Sequence, residues 1–138
     1  MGQTIFELYD RVKGFDLQEE INKLIKENEP EIVDANTSQL MNGIKSTGES
    51  LGKYKSKSYE DYKLTKNPKG VVDLRNEGDF HTGFFIDDKN RVDSKDSKTG
   101  KLTDWYGEDI FGLTKENMAI ITDDKLTPGI TKAFQDIL

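Results

Sequence analysis

The chain has 138 residues, of which 33% are hydrophobic and 33% charged, and its formal net charge is −6. This length suits one domain, and the acidic balance argues against a protein that holds nucleic-acid phosphates over its whole surface. Cysteine is absent and His81 is the one histidine, which excludes disulfides, a cysteine zinc site and every two-histidine metal motif.

The low hydrophobic content limits how much stability the chain gains from its own core. We expect neighbouring subunits to supply part of the stability. No run approaches the roughly 20 apolar residues of a membrane span, so we expect no membrane partner.

Within a single domain, 1–138, we predict a helical part (1–44), an exposed Lys/Tyr-rich loop region (45–70), and a part with the sheet and closing helices (71–138).

Two capping patterns predict helix starts near the N-terminus. Thr4 with Glu7, and Asp16 with Glu19, each place a capping residue three positions before a glutamate, ahead of apolar residues at helical spacing. Gly14 lies between them, and the sequence leaves open whether it separates two helices or kinks one. A further helix is expected to begin near Pro30, which suits a first turn, and to end around Gly43.

The loop region from 45 to 70 is rich in lysine, serine, glycine and tyrosine. One interpretation is a solvated lysine face. The other is an arm that docks on an acidic partner or follows nucleic acid, with its tyrosines as stacking surfaces. The residues of this possible partner-docking arm are Lys53, Tyr54, Lys55, Lys57, Tyr59 and Tyr62.

The segment 71–86 has the densest apolar content of the chain and is expected to enter the core. Gly78 marks a turn with a possible helix start, and 83–86 is typical of a strand. Residues 87–90 predict a hairpin turn, and 91–94 a second short strand.

The C-terminal third predicts a polar loop over 95–101 and a return to apolar character that ends at Tyr106. Thr114 suits the N-cap of a short helix, and Thr127-Pro128 opens a last helix with an apolar stripe. The expected fold class is therefore α+β: helices at the N-terminus, a small and mainly antiparallel sheet from about Val71 to Tyr106, and a C-terminal helix.

Two familiar loop motifs fail on spacing. Gly48–Tyr54 resembles a phosphate loop, but it is one residue short between its glycines and has Tyr54 where a magnesium-binding hydroxyl is needed. The acidic residues from 87 to 96 invite a calcium-loop interpretation. With Gly100 as the central glycine, however, Lys95 occupies the first ligand position, and a cation there repels the metal.

Catalytic side chains show no better arrangement. His81 has no serine or cysteine nucleophile in a recognisable motif beside it, and a structural role is the simpler interpretation. The carboxylate pairs Glu77/Asp79 and Glu108/Asp109 are expected by chance among 26 acidic residues. We therefore expect no enzyme, no cofactor and no metal.

Three segments follow one another in an informative order: Gly48–Lys63, Val72–Phe80 and Tyr106–Thr114. This order resembles the layout of bacteriophage tail-completion and virion-morphogenesis proteins, which include head-to-tail connectors and tail-terminator-like proteins. In that family a Leu-x-x-Thr-Gly-x-Leu-type segment precedes a late Phe-Leu-Gly-Leu-Ser segment. Here Glu77 replaces the threonine, and the late motif lacks one residue between Phe111 and Gly112.

The resemblance implies a structural virion protein at the neck or tail end, made in the bacterial host cytoplasm and working as a ring subunit. Its partners would be copies of itself and other neck, tail or connector proteins, with DNA at most passing through without specific binding. The alternative is a small soluble adaptor or inhibitor-like binding module that uses the Lys/Tyr-rich arm. The structural or assembly motif that the resemblance implies consists of Leu74, Gly78, Phe80, Phe111, Gly112 and Leu113.

Overall fold

The computed structural model describes residues 4–52, 72–74 and 79–138. Most of these residues are helical, with one small antiparallel sheet and a C-terminal helix, which confirms the α+β class. The elements in chain order are α1 (Ile5–Lys13), α2 (Leu17–Glu27), α3 (Glu29–Met41), α4 (Asp79–Thr82), β1 (Phe84–Ile86), β2 (Val92–Ser94), α5 (Thr99–Tyr106), a 3-10 turn (Glu108–Ile110), α6 (Lys115–Ile121), a π-helical turn (Thr122–Leu126) and α7 (Thr127–Ile137).

The first two helices begin where the capping patterns predict. The Glu7 backbone N–H donates to Thr4 Oγ1 at 3.1 Å, and the Thr4 N–H donates to the Glu7 carboxylate at 3.2 Å, so the capping box is complete. The Glu19 N–H donates to Asp16 Oδ1 at 3.0 Å. α1 ends before Gly14, so the chain forms two helices here and not one kinked helix.

The predicted hairpin is confirmed. β1 and β2 pair antiparallel, with Phe84 opposite Ser94 and Ile86 opposite Val92. The connecting turn is closed by a 2.8 Å hydrogen bond from the Asp87 N–H to the backbone carbonyl at position 91. Side chains alternate along β1, so Phe84 and Ile86 are buried in the core.

The sheet is smaller than predicted. Among the described residues between 71 and 106, strands are confined to β1 and β2, and Thr99–Tyr106 is helix α5, where the sequence predicted loop and then sheet. Leu102 and Tyr106, four positions apart, lie on one face of α5 and pack against the core. The sequence did not predict this helix because Gly100 and the neighbouring threonines are poor helix formers.

Among the described residues the core has two adjoining parts, and α3 contributes to both. Leu40 lies in the first part and Ile32 in the second, while Val33 and Val92 pack against both. Described members of the predicted core segment 71–86 are among the most buried residues, as expected. The first part comprises Leu40, Leu51, Val72, Phe80, Phe84 and Ile110, and the second Ile32, Ile86, Leu113 and Ile121.

The C-terminal helices are continuous, where the sequence predicted two separate ones. Thr114 caps α6 as predicted, since its Oγ1 accepts from the Asn117 N–H at 3.2 Å. The π-helical turn then leads directly into α7. Pro128 has no N–H to donate to the carbonyl four residues earlier, which explains why the regular hydrogen-bond ladder is altered just before it.

Candidate interaction site

The late motif is held in place by a buried amide on α3. Asn36 is fully buried, and its Nδ2 donates to the Ile110 carbonyl at 3.0 Å. The Gly112 N–H donates back to Asn36 Oδ1 at 2.7 Å. One side chain therefore satisfies two backbone groups across Phe111, as a neighbouring strand would.

A second buried amide, Gln39, extends this contact by one turn of α3. Its Nε2 donates to the Gly112 carbonyl at 3.0 Å. Its Oε1 accepts from the Thr114 N–H at 2.9 Å and from Asn117 Nδ2 at 2.7 Å. The segment 110–114 thus has a structural role, which is to join α3 to the start of α6.

Sequence reasoning missed both amides, although a signal was present. Asn36 and Gln39 follow Ile32 at positions i+4 and i+7, and Leu40 completes the same buried stripe. Polar residues on an apolar stripe are buried only with hydrogen-bond partners, so their position predicts such partners without naming them.

The structure brings several predicted motif residues together. The ring centroids of Phe80 and Phe111 are 6.0 Å apart, and Phe84 packs against both at 5.0 and 5.3 Å. Leu74 packs half-buried against the same cluster with φ of 58°, and Leu113 lies in the second part of the core. Gly78 and the whole predicted arm, residues 53–62, lie outside the described residues.

His81 has the structural surroundings expected of it. Its Nε2 donates to the Asp73 backbone carbonyl at 2.8 Å, and its ring lies 6.0 Å from that of Phe84. Glu108 and Asp109 are exposed. Within the described ranges, no group of three or more His, Cys, Asp or Glu side chains is placed to hold a metal ion.

An open cleft of about 650 Å³ lies between the β-hairpin, the loop after the 3-10 turn, and α6 with its π-helical turn. This volume falls within the range of small-molecule sites. Met118 borders the cleft and is 50% exposed. Its apolar walls include Ile25, Ile86, Val92, Leu113, Ile121 and Leu126.

Charged side chains also line this cleft. Asp87 accepts hydrogen bonds from the backbone N–H groups of Arg91 and Lys89, both at 2.9 Å, and from Arg91 Nε at 3.2 Å. The Arg91 backbone N–H, followed by that of Lys89 and the Arg91 charge, holds the pKa of Asp87 below its ordinary value of 3.8. Asp93 and Glu108 add two further carboxylates to the lining.

A second apolar surface lies on α1. No residue of this helix is buried, and it packs mainly along α7. Ile5 and Phe6 are each 82% exposed and Tyr9 is 63% exposed. These three side chains occupy positions i, i+1 and i+4, so they form one face, here called the α1 face.

Comparison with protein-family models, with curated proteins and with solved structures found no match for this chain. In the part of the chain that the structure describes, no helix combines the length and apolar composition needed to cross a bilayer. The cleft and the α1 face both present apolar side chains at the surface.

Proposed function

We propose that this chain is a structural virion protein of a tailed bacteriophage and not an enzyme. It acts at the neck or tail end, in tail completion or head-to-tail joining, as one subunit of a ring built from copies of itself. The order of the three segments 48–63, 72–80 and 106–114, which resembles that of tail-completion proteins, supports this proposal. The exposed α1 face is the structural observation that carries it.

The α1 face carries the proposal because a nine-residue helix is marginal in water by itself. Most helical stability in proteins comes from packing of the apolar face. Here Phe6 and its neighbours are turned away from their own core, although the helix start is well capped. Adjacent exposed side chains of this size mark a protein contact, which self-assembly would provide.

Ring assembly also agrees with the acidic character of the chain. A net charge of −6 gives no general attraction for phosphates, so DNA passing through such a ring would not be bound specifically. Contacts that join two different surfaces close into rings when the rotation between subunits permits. Other neck, tail or connector proteins would then stack on the ring.

Sedimentation of the whole chain over a wide concentration range tests the assembly. We expect one defined oligomer with a closed stoichiometry, and phage particles that contain the protein at the neck or tail end when labelled for electron microscopy. The Phe6→Ser variant should shift the distribution toward monomer, while Gln18→Ser, at an exposed position of α2, should leave it unchanged. A strict monomer that is absent from particles would contradict the proposal.

A further inference from the structure

The α1 face is convex and displays Ile5, Phe6 and Tyr9, whereas the cleft is concave and walled by aliphatic side chains. No residue of α1 lines the cleft, so the two surfaces are separate on one copy. An amphipathic helix laid into an apolar groove is a common mode of recognition, with anchors spaced as these are.

The two surfaces also offer one pair of opposite charges, while α1 as a whole carries two acidic and two basic residues. Lys13 borders the α1 face, with its Nζ 5.6 Å from the centre of the Tyr9 ring. Its contact with Asp10 is long, at 3.8 Å, and exposed. Among the described residues that line the cleft, three of the four charged ones are acidic. The fourth, Arg91, is already paired with Asp87, which leaves the carboxylates of Asp93 and Glu108 to meet a cation.

We infer that α1 of one copy docks in the cleft of the next copy, with Phe6 against the aliphatic walls and Lys13 beside Glu108. This inference rests on the proposed ring function and names the contact that builds the ring. The contact joins two different surfaces, which is the heterologous arrangement that rings require. Nine helical residues span only about 14 Å.

This short span implies a small contact. A single docked helix buries less than the roughly 800 Å² per partner of a standard interface. Each contact is therefore weak alone, and assembly should be steeply concentration-dependent because ring closure gives every subunit two contacts.

The cysteine-free chain allows a direct cross-linking test. Lys13→Cys and Glu108→Cys, which leave the Phe6 anchor in place, are made as separate single variants, mixed and mildly oxidised. We expect disulfide-linked dimers that contain one copy of each, and a ladder of higher species when both substitutions are in one chain. Gln18→Cys, at an exposed position outside both surfaces, is the matched control and should link to neither.

Charge reversal gives an independent readout. Lys13→Glu should weaken assembly several-fold, and adding Glu108→Lys should restore it. Predominant Lys13→Cys homodimers would overturn the inference, because α1 would then pair with α1. A normal oligomer without the mixed cross-link would also overturn the docking while leaving the ring proposal intact. A chain that stays monomeric at every concentration would contradict both.

Discussion

The Gly112 backbone N–H donates a 2.7 Å hydrogen bond to Oδ1 of Asn36, a side chain with no exposed surface. The two residues are 76 positions apart, so this contact joins the helical N-terminal part to the C-terminal third of the chain. Both groups lose water on folding and have each other as partners. Removing one partner therefore costs more than the hydrogen bond itself contributes.

Asn36→Ala should destabilise the protein by about 2–4 kcal/mol, because the buried Ile110 carbonyl and the half-buried Gly112 N–H both lose their partner. Urea denaturation followed by circular dichroism measures the loss. Asn42→Ala is the matched control: its exposed side-chain amide donates to the Ser38 carbonyl near the end of its own helix. Equal stability of the two variants would show that the Asn36 contacts are not formed in solution.

Gly112→Ala should cost about 1–3 kcal/mol. The residue has φ of 110°, and an added Cβ would lie 3.3 Å from the Ser46 Cβ. Gly100→Ala is the opposite case, since position 100 is helical and an added Cβ meets nothing within 4 Å. That substitution should leave stability unchanged or raise it by up to about 1 kcal/mol. Thermal melting of both variants measures whether their stabilities differ in this way.

Gly129→Ala tests the close approach of α7 to α2. An added Cβ would lie 2.5 Å from Cδ2 of the buried Leu24, so we expect a loss of about 1–3 kcal/mol. The clash disappears when Leu24 is shortened. A double-mutant cycle with Leu24→Ala should therefore show that the combined loss is smaller than the sum of the two single losses. If the two losses are strictly additive, Gly129 and Leu24 are not in close contact.

Glu29 links α3 to β1 and makes stability depend on pH. The Ile86 backbone N–H, at 2.8 Å, and Lys26, at 3.1 Å, hold the pKa of this carboxyl below its ordinary value of 4.5. Because the folded pKa is lowered, the stabilisation is fully present above pH 4.5 and is lost as the pH falls through the lowered value.

Glu29→Gln should accordingly cost about 1–2 kcal/mol near neutral pH, and the difference from the unmodified protein should shrink between about pH 5 and 3. Denaturant midpoints at each pH measure this. Glu31→Gln, at an exposed position of the same helix, is the control, and its stability should follow that of the unmodified protein at each pH. A difference that stays constant down to pH 3 would contradict the assignment to this carboxylate.

The sequence by itself determined the local features of this protein. Helix starts at Thr4, Asp16 and Thr114 were predictable because a capping side chain bonds to backbone only three residues away. The hairpin was predictable because strand alternation and turn residues are adjacent in the chain. The α+β class followed from the order of these pieces.

Tertiary structure alone decided which surfaces the chain buries and which it exposes. The partners of Asn36 and Gln39 lie more than 70 positions away, and the cleft is assembled from α2, the hairpin and α6. The apolar residues of α1 have the same spacing as those of a core helix, yet the α1 face remains exposed. Periodicity shows that a helix has an apolar face, whereas what covers that face depends on contacts between distant segments or between copies.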